Sequence, residues 1–272
     1  MAPAKHIVAV IGAGKIGELV LSGLLRAGWP AGKLLATARR QDRAAYLTER
    51  YGIRVVDNAA AVVEADVLAV AVKPQDAGTL FDEIGAKVPA DKLIISLCAG
   101  LPTSFFAARL PDGTPVVRVM TNTPALVDQA MTAISAGPHA TGEHLAVAEE
   151  MFSPLGATIR VPESQQDAVT ALSGSGPAYF YLLVEAMIDA GILLGLPRQV
   201  AHELIVQTAI GSAVMLRDSG EHPVKLREAV TSPAGTTISA IRELENHGVR
   251  AALLAALEAA RDRAREIATQ NA

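Results

Sequence analysis

Short apolar segments alternate with helical segments through the first half of the chain, and this alternation restricts the fold more than any other feature. Each apolar segment has the length of one strand and is almost continuous in aliphatic residues, which is typical of strands buried on both faces. Because single helical segments separate most of them, the pattern predicts a parallel sheet with helices on both faces. The strand-like segments are His6–Ile11, Leu34–Ala38, Ile53–Val56, Val67–Val72, Leu93–Leu97, Val116–Met120 and Met131–Ser135.

The alternation of strands and helices ends near residue 162, and only helical segments follow. A final helix–strand pair, Glu143–Phe152 and Thr158–Val161, follows the alternating part. Beyond it, strand-like segments disappear and helical periodicity continues to a last predicted helix at Val249–Ile267. The sequence therefore predicts an α/β domain at residues 1–162 and an all-α domain at residues 163–272. The earlier predicted helices are Lys15–Ala27, Arg40–Tyr51, Asn58–Glu64, Asp76–Ile84 and Pro102–Leu110.

Composition excludes several classes of protein. Half of the 272 residues are hydrophobic and 19% are charged, which excludes general disorder. The uninterrupted apolar runs are far shorter than the ~20 residues that span a bilayer, so no membrane span is predicted. Twenty-four Lys and Arg against 28 Asp and Glu, without a basic block, predict no nucleic-acid partner. The single cysteine, Cys98, and the absence of a signal-peptide pattern predict a cytoplasmic protein.

A glycine-rich segment, Gly12-Ala13-Gly14-Lys15-Ile16-Gly17, joins the first predicted strand to the first predicted helix. In this position it has the spacing of a dinucleotide-binding turn. Gly12 would permit the tight turn, Gly14 the approach of a pyrophosphate, and Gly17 close contact between helix and strand. The amino end of the helix adds unpaired N–H groups. The segment predicts a Rossmann-type domain; a glycine-rich turn without a ligand is the alternative.

The segment after the second predicted strand indicates which dinucleotide is bound. NAD-binding domains place a carboxylate there for the ribose 2′-hydroxyl, but this chain has Thr37-Ala38-Arg39-Arg40. A hydroxyl and two guanidinium groups suit a 2′-phosphate. NADPH is therefore predicted as the cofactor, with NADH as an alternative. Arg39 and Arg40 could instead simply begin a solvated helix.

Three further loops follow predicted strands at Ala71–Gln75, Ser96–Gly100 and Arg118–Pro124. Ligands of open α/β sheets lie beyond the carboxyl ends of the strands, so these loops are expected to line one crevice. Gly100 is expected to leave room for a flat ring. The third loop would place amide and hydroxyl groups around a nicotinamide.

The helical half has two irregular segments. Ser173-Gly174-Ser175-Gly176-Pro177 interrupts a helical pattern, and close packing of a kinked helix is its simplest interpretation. Ser232-Pro233-Ala234-Gly235-Thr236-Thr237 precedes a helix, where hydroxyls and free N–H groups would bind a substrate carboxylate. Helix capping by Thr236 is the alternative. The six histidines form no metal-ligand pattern, so no metal is predicted, and Cys98 is interpreted as a buried residue rather than a nucleophile.

Several of these segments closely resemble pyrroline-5-carboxylate reductases. The loops Ala71–Gln75, Arg118–Pro124 and Ser232–Thr237 match that family in the same order, so the resemblance covers essentially the whole chain. The chain departs from the family pattern at Thr121, where proline is usual, and at Ala130 and Ala234, where glycine is usual. The segments that carry the resemblance most specifically are Asp167–Tyr179, Asp189–Gly191 and Gly195–Pro197.

The resemblance implies an NAD(P)H-dependent reduction of 1-pyrroline-5-carboxylate to L-proline, the last step of proline biosynthesis. It implies a homodimer with interlocking helical domains and an active site at the dimer interface, with dimers often assembling into a homodecamer. Ser232, Gly235, Thr236 and Thr237 would bind the substrate, and the Thr237 hydroxyl would lie nearest the imine nitrogen. The residues expected to bind the cofactor are Gly12, Gly14, Lys15, Ile16, Gly17, Thr37, Arg39, Arg40, Asn58, Val72, Lys73, Pro74, Cys98, Ala99, Gly100 and Asn122.

Two other functions share this layout. One is a different NADP-dependent imine or β-hydroxyacid dehydrogenase; the latter would require a catalytic lysine on the first long helix of the helical domain. Gln165–Leu194 contains no lysine. The other is a catalytically silent NADPH-binding module, whose signature would be a damaged glycine turn or a damaged Ser232–Thr237 loop. Neither segment is damaged in this chain.

Overall fold

The computed structural model describes residues 5–271, which divide into two compact units. The first, here called the sheet unit, runs to Ser175 and also includes the end of the last helix from Ala259. The second, here called the helical unit, is Gly176–Glu258. The predicted fold class, a Rossmann-type α/β part followed by an all-α part, is confirmed.

The sheet unit is built on one eight-stranded sheet in the order β3-β2-β1-β4-β5-β6-β7-β8. The first six strands have the order of a dinucleotide-binding Rossmann sheet. Every neighbouring pair is parallel except β6 and β7, which are antiparallel. The strands are β1 (Val8–Ile11), β2 (Leu34–Ala36), β3 (Arg54–Val55), β4 (Val67–Val70), β5 (Leu93–Ser96), β6 (Val116–Met120), β7 (Ala130–Ala136) and β8 (Gly156–Arg160).

Helices cover this sheet and make up the helical unit. In the sheet unit they are α1 (Lys15–Arg26), α2 (Gln41–Tyr51), α3 (Asn58–Glu64), α4 (Pro74–Ile84), α5 (Thr103–Ala107), α6 (Gly142–Phe152) and α7 (Gln166–Val169). Short 3-10 turns lie at Ala31–Lys33, Gly85–Lys87, Thr123–Val127, Ser153–Leu155 and Glu163–Gln165, and a π-helical turn lies at Thr170–Gly174. The remaining helices are α8 (Gly176–Leu193), α9 (Arg198–Ser219), α10 (Pro223–Ala229), α11 (Thr236–Asn246) and α12 (Val249–Asn271).

The antiparallel β6–β7 pair is a feature that the sequence analysis did not predict. Only residues 121–129 connect the two strands, which is too short for the crossover that a parallel neighbour requires. The length of this connection could therefore have predicted the antiparallel pairing of β6 and β7. The other strands and helices lie at the predicted positions, but their ends differ by up to four residues. Strands β1 to β5 are shorter than the apolar segments, β7 is longer, β8 begins two residues earlier, and α5 is shorter than the predicted helix.

Two apolar clusters, one on each face, explain why the strands are continuously apolar. Val8 and Val10 contribute to one cluster, while Ala9 and Ile11 contribute to the other. Alternate side chains of a strand point to opposite faces, so a strand covered on both sides needs apolar residues at every position. Phe152 belongs to the first cluster and is fully buried.

The contacts place the boundary between the units after Ser175, whereas the sequence pattern changes at residue 163. Polar contacts hold the intervening segment on the sheet unit. Glu163 accepts hydrogen bonds from the Thr103 backbone N–H at 2.6 Å and from the Thr103 hydroxyl at 2.7 Å. Gln166 is fully buried and donates to Ser135 Oγ at 2.8 Å. Helical periodicity does not report such contacts, so the boundary at 162 and 163 stays a prediction.

The helical unit leaves most of its large apolar side chains exposed. Among its described residues, Ile188 and Ala201 are the buried apolar ones. Helix α8 packs against α9, and a Cβ on Gly191 would lie 2.8 Å from the Cβ of Ala201. The unit therefore has apolar surface available for another protein surface. Its exposed large apolar residues include Phe180, Tyr181, Leu182, Met187, Leu193, Leu194, Leu204, Ile210, Met215 and Leu254.

One helical stretch, residues 163–193, is long and apolar enough to cross a membrane by length and composition alone. It was not predicted from the sequence, because it contains no uninterrupted apolar run long enough to span a bilayer. Glu163, Asp167, Glu185 and Asp189 divide the stretch into shorter apolar runs. The same stretch carries several exposed apolar side chains of α8.

Replacing Glu163 with alanine should destabilise the sheet unit. Arg118 is only 5% exposed and lies 3.7 Å from the Glu163 carboxylate and 3.2 Å from that of Asp167. The variant would leave Thr103 without its acceptor and Arg118 with a single partner. We expect a loss of about 1–3 kcal/mol in the free energy of unfolding, measured by urea denaturation. Glu49→Ala, at an exposed position on α2, is the control, and equal losses in both variants would contradict this assignment.

Candidate functional site

The glycine-rich turn between β1 and α1 requires glycine for the predicted steric reasons. Gly12 has a φ of +81°, and a Cβ there would lie 2.5 Å from Val72 Cγ1. A Cβ on Gly17 would lie 2.9 Å from Val10 Cγ1 and 3.0 Å from the Gly12 carbonyl oxygen. At Gly14 the nearest such atom is 4.0 Å away, so a ligand could approach the backbone there.

The amino end of α1 has the properties of an anion site. Gly14 is the N-cap residue and provides no side-chain cap. The first N–H groups of a helix have no acceptor in a preceding turn, so those at Lys15 and Ile16 depend on an external acceptor. A phosphate is a suitable acceptor because the helix dipole also favours negative charge at this end.

Thr37 is hydrogen-bonded to the glycine-rich turn, a contact that was not predicted from the sequence. Its hydroxyl oxygen accepts the Gly12 N–H at 3.0 Å, and its carbonyl accepts the Ala13 N–H at 2.9 Å. The side chain is buried. Thr37 therefore fixes the start of the turn, and its expected contact with a 2′-phosphate stays a prediction.

Arg39 and Arg40 lie between β2 and α2 with their side chains largely in solvent. Arg39 pairs with Asp76 at 3.0 Å and is 85% exposed, while Arg40 pairs with Asp42 at 3.4 Å and is 75% exposed. Surface ion pairs of this kind contribute at most about 1 kcal/mol. Either guanidinium group could leave its carboxylate for a more highly charged phosphate.

The remaining predicted cofactor residues lie at the same edge of the sheet, after β3, β4, β5 and β6. Asn58 begins α3, and its amide donates to the Glu83 carboxylate at 3.2 and 3.3 Å. Lys73 is the N-cap of α4 and Pro74 its first residue. The structure therefore brings the predicted loops to one edge, as a parallel sheet requires. The residues concerned are Asn58, Val72, Lys73, Pro74, Cys98, Ala99, Gly100 and Asn122.

Gly100 lies against the end of α12, a contact that was not predicted. Its φ is +79°, and a Cβ there would lie 3.0 Å from Ile267 Cγ2 and 3.1 Å from the Ala264 carbonyl oxygen. The missing side chain makes room for the end of α12, and the expected space for a flat ring stays a prediction. Sequence reasoning could not detect this contact because the two segments are far apart in the chain.

Asn122 connects the β6–β7 loop to the π-helical turn. Its amide donates to the Ser173 carbonyl at 3.2 Å and to the Ser173 hydroxyl at 3.3 Å, while its oxygen accepts the Met131 N–H. The π turn includes a hydrogen bond from the Ser175 N–H to the Thr170 carbonyl. The interrupted helical pattern therefore corresponds to a widened turn that packs against this loop.

The threonine at position 121, where the family usually has proline, has a local partner. Its hydroxyl accepts a hydrogen bond from the Thr132 hydroxyl at 2.9 Å, and both residues are buried. This pair satisfies a polar group that burial would otherwise penalise. The departure from the family pattern is thus accommodated between β6 and β7.

The Ser232–Thr237 loop of the helical unit leads into α11. Gly235 is the N-cap and has no side-chain cap, so the alternative that Thr236 caps the helix is wrong. A Cβ on Gly235 would lie 2.3 Å from Ser232 Oγ, and Ala234 has a left-handed φ of 55°. Within residues 5–271, the hydroxyls of Ser232, Thr236 and Thr237 have no hydrogen-bond partner. Together with the free N–H groups of the helix end they could bind a carboxylate.

Two observations limit the chemistry. No group of three or more His, Cys, Asp and Glu side chains that could hold a metal occurs among the described residues. Cys98 is buried, its thiol donates to the Val72 carbonyl at 3.4 Å, and burial raises its pKa to about 12. It is therefore a thiol at neutral pH and has a packing role.

Cys98 should not react with a water-soluble thiol reagent while the protein is folded. The thiolate is the reactive form, and both burial and the raised pKa suppress it. We expect no release of thionitrobenzoate from Ellman's reagent at pH 8 in native protein and one equivalent in guanidinium chloride. Complete reaction of the native protein within minutes would contradict the packing role.

Comparisons with known proteins agree with this geometry. A family model described as pyrroline-5-carboxylate reductase dimerisation matches residues 163–267, and a model described as NADP oxidoreductase coenzyme F420-dependent matches residues 7–100. The chain is 43% identical to pyrroline-5-carboxylate reductase from Mycobacterium tuberculosis, over 96% of each chain. It is 42% identical to the enzyme of that name from Methanosarcina acetivorans, over 96% of this chain and 97% of that one.

Solved structures give the same result. A pyrroline-5-carboxylate reductase from Coxiella burnetii matches with a TM-score of 0.87 and 33% identity, covering 97% of this chain and 99% of that one. A pyrroline carboxylate reductase from Plasmodium falciparum with NADP bound matches with a TM-score of 0.89 and 26% identity, covering 98% and 100%. With these matches and an intact glycine-rich turn and Ser232–Thr237 loop, the chain belongs to the pyrroline-5-carboxylate reductase family.

Proposed function

We propose that the protein reduces 1-pyrroline-5-carboxylate to L-proline, with NADPH as its preferred reductant and NADH as the alternative. One observation carries this proposal. The same chain holds an accessible glycine-rich turn, which would bind the dinucleotide that donates the hydride. It also holds a helix end with three hydroxyls that have no hydrogen-bond partner among residues 5–271, which would bind a substrate carboxylate. Family membership over 96% of the chain supports the substrate class.

The cofactor supplies the hydride, which is transferred from the reduced nicotinamide ring to the imine carbon of the substrate. The chain would hold the pyrophosphate at Gly14, Lys15 and Ile16, and the 2′-phosphate at Arg39 and Arg40. Asn122 and the loops after β4 and β5 would lie around the nicotinamide. These assignments are the predicted ones, and open space at Gly14 together with the exposure of both arginines supports them.

The substrate carboxylate would bind to the Ser232–Thr237 loop. Ser232 and Thr236 can donate hydroxyl hydrogen bonds, and the first N–H groups of α11 add backbone donors at the positive end of the helix dipole. Hydrogen bonds to a charged group are stronger than neutral ones, so several such donors can fix the substrate's orientation. Ala234 adds only a methyl group, and the loop keeps its turn with this residue in a left-handed conformation.

Thr237 would orient the imine nitrogen rather than protonate it. Reduction leaves the nitrogen with one additional proton, so the overall reaction consumes one hydride and one proton. The pKa of an aliphatic hydroxyl is far above neutrality, which makes threonine a weak general acid. The hydroxyl would therefore hold the nitrogen by a hydrogen bond, and water or a previously protonated imine would supply the proton.

The helical unit would form a homodimer, and dimers would assemble into a homodecamer. The exposed apolar side chains of α8 and α9, together with the match of residues 163–267 to a dimerisation model, support the dimer. Burial in a dimer interface would remove this apolar surface from water. The decamer and a cytoplasmic location are implied by the family resemblance. Neither a nucleic acid nor a membrane is proposed as a partner.

The alternatives are less well supported than the reductase. The predicted requirement of a β-hydroxyacid dehydrogenase for a lysine on the first long helix is not met in Gln165–Leu194. A silent NADPH-binding module would have no use for the unengaged hydroxyls of the Ser232–Thr237 loop. A different cyclic imine would use the same geometry, and direct substrate competition would distinguish it.

Removing both exposed arginines should abolish the preference for NADPH. In the Arg39→Met/Arg40→Met double variant, the KM for NADPH should rise about tenfold or more, equivalent to roughly 1.4 kcal/mol. The KM for NADH should change less than about twofold, since NADH has no 2′-phosphate. Oxidation of each cofactor at 340 nm with 1-pyrroline-5-carboxylate gives both constants. An equal increase for the two cofactors would contradict a role in binding the 2′-phosphate.

Thr237→Ala should lower kcat/KM for the imine by about 10- to 100-fold, since one hydrogen bond to the reacting nitrogen is worth about 1–3 kcal/mol. Thr237→Ser keeps the hydroxyl and should recover most of the activity. Cofactor affinity should be unaffected in both. If Thr237→Ala retained normal turnover and normal substrate affinity, the assignment of this residue would be abandoned.

A further inference from the structure

Arg43, in the first turn of α2, contacts the glycine-rich turn directly. It is not among the predicted site residues. Its Nε donates to the Ala13 carbonyl at 2.9 Å and its Nη2 donates to the Gly14 carbonyl at 3.2 Å. Both carbonyls lie inside the Gly12–Gly17 segment. A single side chain thus holds two consecutive peptide groups of the turn from one side.

We infer that Arg43, held by Glu18, is a positioning residue that fixes the glycine-rich turn for the pyrophosphate and so supports NADPH and NADH binding equally. The inference rests on the cofactor site proposed above. It goes beyond that site because Arg43 would act through the backbone rather than by contact with the cofactor.

The geometry of the peptide group explains how a contact with a carbonyl affects a donor. A peptide group is planar and trans, so its C=O and N–H point in opposite directions. The carbonyl of Gly14 shares its peptide group with the N–H of Lys15. The Gly14 carbonyl also accepts the Glu18 N–H at 2.9 Å, the first backbone hydrogen bond of α1. Arg43 therefore adds a second restraint, from a side chain, on the direction of the Lys15 N–H, a donor at the amino end of α1.

Glu18 keeps Arg43 in this orientation. The Arg43 guanidinium donates to Glu18 Oε2 at 2.5 Å, and the other carboxylate oxygen accepts the hydroxyls of Tyr51 at 2.8 Å and Tyr46 at 3.1 Å. The side chains of Arg43 and Glu18 are 21% and 23% exposed. This pair is therefore more shielded from water than the ion pairs of Arg39 and Arg40.

The protonation states fit a permanent structural pair. Partial burial raises the pKa of Glu18, but the hydrogen bonds from Arg43 and the tyrosines, with the charge of Arg43, outweigh it and hold the pKa below the ordinary value of a glutamate. Burial and the Glu18 carboxylate raise the pKa of Tyr51 to about 12. At neutral pH the carboxylate is thus charged and the phenol neutral. Arg43 also compensates a negative charge that would otherwise repel a phosphate near α1.

The contacts of Arg43 differ from those of Arg39 and Arg40, which indicates different roles in cofactor binding. Arg43 uses its Nε and Nη2 on the turn and on Glu18, whereas Arg39 and Arg40 each hold one carboxylate at the surface. A group that fixes the turn affects every dinucleotide with a pyrophosphate. A group that binds the 2′-phosphate affects NADPH alone.

The test measures dissociation constants of NADPH and NADH for the full-length protein by isothermal titration calorimetry, without substrate. Arg43→Met should weaken both cofactors by the same factor, about tenfold, and leave their affinity ratio unchanged within about twofold. Arg43→Lys should recover part of the loss, since an ammonium group can hold one carbonyl but does not reproduce the planar fork. In steady-state assays the KM for both cofactors should rise while kcat stays near the wild-type value.

Two reference variants make the result specific. The Arg39→Met/Arg40→Met variant should lose NADPH affinity only. Arg50→Met, at an exposed position on the same helix, should change neither affinity. Thermal unfolding of each variant shows whether it is folded.

Two outcomes would overturn the inference. A loss confined to NADPH in Arg43→Met would place the residue on the 2′-phosphate. A lowered melting temperature with unchanged affinities for both cofactors would reduce it to a residue that stabilises the fold. Failure of the wild-type protein to bind either cofactor would instead contradict the proposed function, so the two failures are distinguishable.

Discussion

The steric fit between β1, α1 and the loop after β4 is the constraint on which the rest of this molecule depends. Gly12 and Gly17 have no room for a side chain because Val72, Val10 and the Gly12 carbonyl occupy that space. The close contact places the amino end of α1 at the carboxyl edge of the sheet. Thr37 and Arg43 then hold the turn by hydrogen bonds to its backbone. The proposed cofactor site thus results from backbone packing and does not depend on a bound ligand.

The other candidate cofactor residues lie at the same edge of the sheet as the glycine-rich turn. Six strands run in the same direction, so the loops after them meet where the glycine-rich turn lies. The helical unit contributes a different kind of site, in which Gly235 begins α11 and hydroxyls flank its free N–H groups. One part of the chain therefore suits phosphates and the other suits a small carboxylate. This division matches what the reduction of a carboxylate-bearing imine requires.

Local patterns predicted most of this arrangement, and contacts between distant segments account for what they missed. Strand and helix positions, the glycine turn and the Ser232–Thr237 loop follow from periodicity and short motifs, which depend on neighbours in the sequence. The role of Gly100 depends on Ile267, that of Thr37 on Gly12, and the anchoring of residues 163–175 on buried polar contacts. No local rule reports such pairs. Arg43 was missed for the same reason, since its partners precede it by 25 to 30 residues.

The most direct test of this account follows the hydride itself. NADPH carrying deuterium at the transferred position of the nicotinamide ring is incubated with the protein and 1-pyrroline-5-carboxylate, and the product is analysed by mass spectrometry and NMR. We expect L-proline with one deuterium at C5, formed in proportion to the NADPH oxidised. NADPH binding without deuterium in proline would contradict the assignment of the chain as a reductase of this imine.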